Sequence, residues 1–165
     1  MDADRFTNPI IDRIAVFLRG IGIGVRAGTI EKSFLPGFQI EYGEMIVDES
    51  KVTHPGDLLH EAGHLAVVVP DRRARMYHGV GRRGAEEMSA IAWSYAAALH
   101  IGIDPHIVLH DAGYRGSGAT LVENYRNGGI YGQPMLDIFG MTHAGQRPPP
   151  EGAPMFPHML RWLRE

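Results

Sequence analysis

Leu58-Leu59-His60-Glu61-Ala62-Gly63-His64-Leu65-Ala66-Val67-Val68 is an apolar run broken by two imidazoles and a carboxylate. Wound as a helix, it stacks residues four apart on one face, so His60 and His64 reach toward one point with Glu61 beside them. The pentapeptide from His60 to His64 has the HExxH form, in which two histidines hold a zinc ion and the glutamate acts as a base. Random placement of this composition would give roughly 0.03 such pentapeptides in the chain. The plainer reading is a half-buried helix with two hydrogen-bonded histidines.

Zinc takes imidazole nitrogens at about 2.0–2.1 Å in a roughly tetrahedral shell, so histidines on adjacent turns supply two corners without bending the helix. A third protein ligand and a water must complete the shell. The water's pKa falls to about 7, and a carboxylate off the metal can take its proton and pass it to a leaving group. Glu61 is the candidate for that role. Ala62 and Gly63 carry almost no side chain, which lets a substrate or another element approach this helix closely.

The flanks supply boundaries. Thr53 or His54 is placed to cap the helix, Pro55 suits its first turn, Asp57 complements the positive end of its dipole, and Pro70 is expected to end it. Upstream, Phe38-Gln39-Ile40-Glu41-Tyr42 alternates apolar and polar, and Met45-Ile46-Val47 follows Gly43, which predicts one or two strands, as in a hairpin. Such a pair would set a sheet edge beside the cleft, where an extended peptide could add as a strand. Nearer the start, Asn8-Pro9 opens a helix with Ile10, Ile11, Ile14, Phe17, Leu18 and Ile21 on its apolar face, closed by Gly20-Ile21-Gly22.

A third ligand must come from farther along. Val67 and Pro70 stand where a metzincin carries Gly and His, which excludes that pattern. The Ala-rich segment from Gly84 to His100 reads as a helix with a stripe of Met88, Ile91, Ala92, Tyr95 and Leu99, and it carries Glu86 and Glu87 in its first turn. Acidic residues there also suit the helix dipole with no metal at all. His78, His100, His106, His110, Asp111 and His143 are further donors that spacing alone leaves open.

Over roughly residues 38 to 100 the chain resembles the gluzincin branch of the zincin metallopeptidases, in which an HExxH helix is followed by a helix bearing a glutamate ligand. The resemblance implies a single α+β, zincin-like domain with helices packed on a small sheet, a Zn2+ ion, and hydrolysis of a peptide or protein substrate. It makes His60 and His64 ligands, Glu61 the general base and Glu87 the third ligand, because Ile91 and Ala92 then fill the apolar positions four and five residues on; Glu86 is the rival. Ile91 also stands where that family carries an acidic residue that orients a histidine, so the support behind the ligands differs here.

Composition bounds the rest. With 165 residues, 44% of them hydrophobic, the chain can build one ordinary core, and with no cysteine any zinc must be held by His and carboxylates. The acidic start Met1-Asp2-Ala3-Asp4-Arg5 and the lack of a spanning apolar run lead to the expectation of a soluble cytoplasmic protein without membrane contact. A net charge of −3 and the absence of interleaved aromatics argue against nucleic acid. The one basic cluster, Arg72-Arg73-Ala74-Arg75 with Arg82-Arg83, reads as a solvated loop, with an anionic dock as the alternative. After the apolar run Ile107-Val108-Leu109, a Gly-rich loop offers His110, Tyr114 or Arg115 to stabilise an oxyanion, against a plain turn into a helix near Leu121–Tyr125. The main domain is assigned to residues 1–145. Residues 146–165 form a Pro-rich connector and a C-terminal segment expected to dock on the chain's own core, a second subunit being the other option. The rival to a zinc hydrolase is a non-catalytic, metal-stabilised binding module or inactive zincin relative.

Overall fold

The computed structural model describes residues 5–78, 84–114 and 116–165; residues 1–4, Arg82, Arg83 and Arg115 of the sequence reading lie outside them. Helix α1 (Pro9–Ile21) begins where its chemistry dictates. The Asn8 side chain accepts from the Ile10 and Ile11 N–H groups at 2.9 and 3.2 Å, Pro9 takes the first turn, and Gly22 closes the helix in the left-handed region. Ile11, Ile14, Ala15 and Leu18 face the core.

Three short strands follow, β1 (Val25–Ala27), β2 (Phe38–Glu41) and β3 (Glu44–Val47), in the order β1-β3-β2. Strand β3 runs parallel to β1 and antiparallel to β2. The β2–β3 hairpin turns on Tyr42 and Gly43, both at positive φ (50° and 85°), the backbone of a tight turn whose twist matches the strands. The outer edge of β2, expected to be open to an extended peptide, is partly taken by the chain itself. Tyr77 bridges Glu41, and the His78 N–H donates to the Ile40 carbonyl at 2.8 Å.

Helix α2 (Asp57–Ala66) starts later than its sequence suggested and stops earlier. Neither Thr53 nor His54 caps it through a side chain. The turn ahead of it does the work instead, with the Asp57 N–H donating to the His54 carbonyl at 3.1 Å. Gly56 is required at that point because a Cβ there would lie 2.1 Å from the Ile107 carbonyl oxygen. At the other end, Pro70 opens the short helix α3 (Pro70–Arg73) rather than terminating α2. The last carbonyls of α2 are met from outside: Arg73 Nε donates to Leu65 at 2.7 Å, and the Arg164 N–H donates to Ala66 at 2.9 Å.

Helix α4 (Gly84–Ile101) is the axis of the molecule. The sequence suggested a one-sided stripe, yet every residue from Ser89 to Ala98 is buried, while Leu99 of that stripe is exposed. Its alanines let α2 cross closely. A Cβ on Gly63 would lie 2.9 Å from the Ala90 carbonyl oxygen and 3.2 Å from the Trp93 ring, so the small residues of the pentapeptide admit a helix. Short helices α5 (Pro105–Val108), α6 (Gly118–Arg126) and α7 (Gln133–Ile138) complete one α+β domain of helices around a small mixed sheet. Among the described residues, no helix is long and apolar enough to cross a membrane.

The C-terminal segment lies on this core. Trp93 Nε1 donates to the Trp162 carbonyl at 2.9 Å, the Trp162 ring meets Phe17 edge-on at 5.1 Å, and the Arg164 guanidinium sits 3.8 Å above the Phe139 ring. Asp137 ties down the loop before it. Burial alone would push its carboxyl up, but the Ala144 N–H, the Arg147 guanidinium and the Gln146 N–H bring it down to about 2. Its folded pKa lies below the unfolded value of about 3.9, so its contribution to stability is complete above about pH 4 and drains away as pH falls toward 2. Denaturant titrations between pH 5 and about 2 should therefore show a shallower loss for Asp137→Asn than for the unaltered chain, and parallel losses would refute this account.

Candidate metal centre

Because α2 places residues four apart on one face, the His60 and His64 rings meet edge-on, with their Nε2 atoms 3.3 Å apart. Both are buried, at 8% and 4% exposure. The first turn of α4 brings Glu87 across to them. Its Oε1 lies 3.2 Å from His60 Nε2 and its Oε2 lies 3.0 Å from His64 Nε2. A tetrahedral zinc shell with bonds of about 2.0–2.1 Å has edges of about 3.3–3.4 Å, and the 3.3 Å between the two nitrogens is such an edge, with one carboxylate oxygen beside each nitrogen.

Without a cation, each imidazole can donate its Nε2–H to one Glu87 oxygen. That arrangement leaves the two Nε2 atoms crowded at 3.3 Å, and His60 Nδ1 is buried with no hydrogen-bond partner in either case. A cation at the convergence point would use all three donors at once. The donor set of nitrogen, nitrogen and carboxylate oxygen is one that zinc accepts. In this geometry hydrogen bonds from His60 and then His64 hold the Glu87 carboxyl far below the usual carboxylate range.

Glu61 lies beside the imidazoles, and potential ligand atoms of His60, Glu61 and His64 fall within 4.8 Å of one another. Burial raises its carboxyl above the ordinary value; His64 and His60 pull it back, while Glu87 and Asp57 push it further up. Glu86, the rival to Glu87, points elsewhere. It is gripped through both oxygens by the Arg72 guanidinium, with Nη2 2.9 Å from Oε2.

The loop after α5 walls the site. Tyr114 packs edge-on against the His60 ring at 5.5 Å, and its hydroxyl is buried without a hydrogen-bond partner. Burial, with the charges of Asp57, Glu87 and Glu61, raises that phenol well above its usual range, so it remains a proton donor at neutral pH. His110 reaches the same wall with both ring nitrogens engaged. The Gly113 N–H donates to its Nδ1 at 3.2 Å, so Nε2 carries the proton and donates to Asp57 Oδ1 at 2.6 Å. His54 stacks on the His110 ring at 4.0 Å.

Three further sequence candidates do other work. His100 packs against Phe17 and Trp162, His106 lies near Arg126, and Asp111 accepts from the Ala119 N–H. Arg73 is spent on carbonyl oxygens and Arg72 on Glu86, so these two members of the basic cluster hold the chain's own groups. The Asp57–His110 pair escaped the sequence reading, which gave Asp57 only a dipole role. Its position three residues before His60, one turn earlier on the same face, was the available signal. Family models, curated proteins and solved structures yield no match to this chain, so the functional reading rests on the site itself.

Proposed function

We propose that this protein is a zinc-dependent hydrolase that cleaves peptide bonds, with the ion held by His60, His64 and Glu87. The observation that supports this reading is the convergence of two buried Nε2 atoms 3.3 Å apart with the two Glu87 oxygens at 3.0 and 3.2 Å. A bound zinc ion supplies Lewis-acid polarisation of a carbonyl and eases deprotonation of water. Glu61 takes the proton from the attacking water and returns it to the leaving nitrogen. Tyr114, a buried phenol with an unspent hydroxyl, donates to the carbonyl oxygen as negative charge gathers there. His110 and Asp57 hold the wall that carries Tyr114.

A second reading draws on the β2 edge. Tyr77 and His78 already pair with part of the strand on which an extended substrate would align, which suits a metal-stabilised binding module without turnover. Metal content and cleavage separate the two. After removal of metal by a chelator and titration with zinc, the hydrolase reading expects one zinc per chain and cleavage of a fluorogenic peptide library that is lost with chelator and regained with zinc. One tightly held zinc with no cleavage supports the module, and failure to retain zinc overturns both.

A further inference from the structure

We propose that Arg72 is a positioning residue for the metal centre: by clamping Glu86, it fixes the first turn of α4 so that Glu87 meets both imidazoles. The inference rests on the proposed zinc site and adds a part that the ligand set does not contain. Glu86 and Glu87 are the third and fourth residues of α4, a stretch where the leading N–H groups have no intrahelical acceptor and helices fray. The two residues ahead of them, Gly84 and Ala85, are exposed. A ligand placed there keeps its direction only if something outside the helix holds the turn.

Successive helical residues project about 100° apart around the axis, so fixing Glu86 in a planar, two-point grip also sets where Glu87 points. The pair is shielded, at 31% side-chain exposure for Arg72 and 17% for Glu86, unlike a loose surface ion pair. Its anchor is firm as well. Arg72 lies on α3 beside Arg73, whose guanidinium donates to the carbonyls of Leu65, Val68 and Arg164 at 2.7, 2.9 and 2.8 Å. Helix α3 is thereby bound to the end of the same helix that carries His60 and His64. The linkage closes on itself: α2 holds α3, Arg72 holds Glu86, and Glu87 returns to the imidazoles of α2. The grip has a second effect, since it withholds Glu86 from the cation.

The test is zinc affinity, measured at 25 °C by competition with a chromophoric chelator, alongside the melting temperature of the metal-free protein. Removing support from behind a ligand typically costs about 10–100-fold in metal affinity, and Arg72→Ala is expected to lose that much. Arg72→Lys, which offers a point charge instead of a fork, should recover only part of it. The exchanged pair, Arg72→Glu with Glu86→Arg, should recover most. Glu86→Gln removes the ion pair with little change of shape and serves as the second arm if Arg72→Ala does not fold. A role confined to stability would lower the metal-free melting temperature and leave the affinity of the folded variants within about twofold; that result overturns the proposal. If the unaltered chain itself binds no zinc, the site reading fails first and this inference falls with it.

Discussion

Glu61→Gln is expected to bind zinc within about threefold of the unaltered chain and to cleave peptide about 10²–10⁴-fold more slowly, the range a positioned general base contributes. The substitution keeps the shape of the side chain and leaves the three proposed ligands untouched. What it removes is the only carboxylate next to the imidazoles that has neither an imidazole nor an arginine to hold among the contacts described. An amide cannot take a proton from water, so the loss should fall on kcat and spare KM. Steady-state kinetics beside metal analysis checks both halves. Unchanged turnover would remove Glu61 from the mechanism, and loss of zinc along with turnover would make it a ligand.

His64→Ala acts on the opposite side of that division. Each donor of a zinc site carries a substantial share of an apparent binding free energy on the order of 10 kcal/mol, so deleting one of three should weaken zinc by about 10²–10³-fold and abolish cleavage at limiting metal. The helix itself should persist, because alanine favours it and Leu58, Leu59 and Leu65 remain buried. Circular dichroism would then show a folded chain, while chelator competition shows a crippled site. An affinity equal to that of the unaltered chain would place the ion elsewhere or nowhere.

Much of this arrangement was legible in the residues because local chemistry writes it locally. Asn8, Pro9 and Gly22 announce α1, the alternation over residues 38–41 announces β2, and the spacing of His60 and His64 announces two rings on one face. The preference for Glu87 over Glu86 came only from the resemblance, through Ile91 and Ala92, and not from local chemistry. Adjacent glutamates have the same propensity and the same affinity for a helix start, and in the structure Arg72 on a separate helix takes one while the imidazoles of α2 take the other. The same holds for the limits of α2. Its last turn is completed by Arg73 and by Arg164, partners that no pattern within residues 57–70 reveals. The small residues Ala62 and Gly63 signal that another element or a substrate can come close, and at Gly63 it is an element, the Ala90–Trp93 turn of α4. Strand β1 spans three residues with a single buried side chain, too short for any periodicity to register.

The bond from the Arg164 N–H to the Ala66 carbonyl joins the end of the helix that carries both imidazoles to a residue that leaves the ribosome long after it. Contacts so distant along the chain form late, because the intervening segment must first be gathered in. During vectorial synthesis, α2 therefore emerges with its final turn unfinished, and both imidazoles are translated well before the latch that steadies them. A chain lacking Arg164 should accordingly capture zinc more weakly than one that carries it, because the last turn of α2 then loses an acceptor's partner.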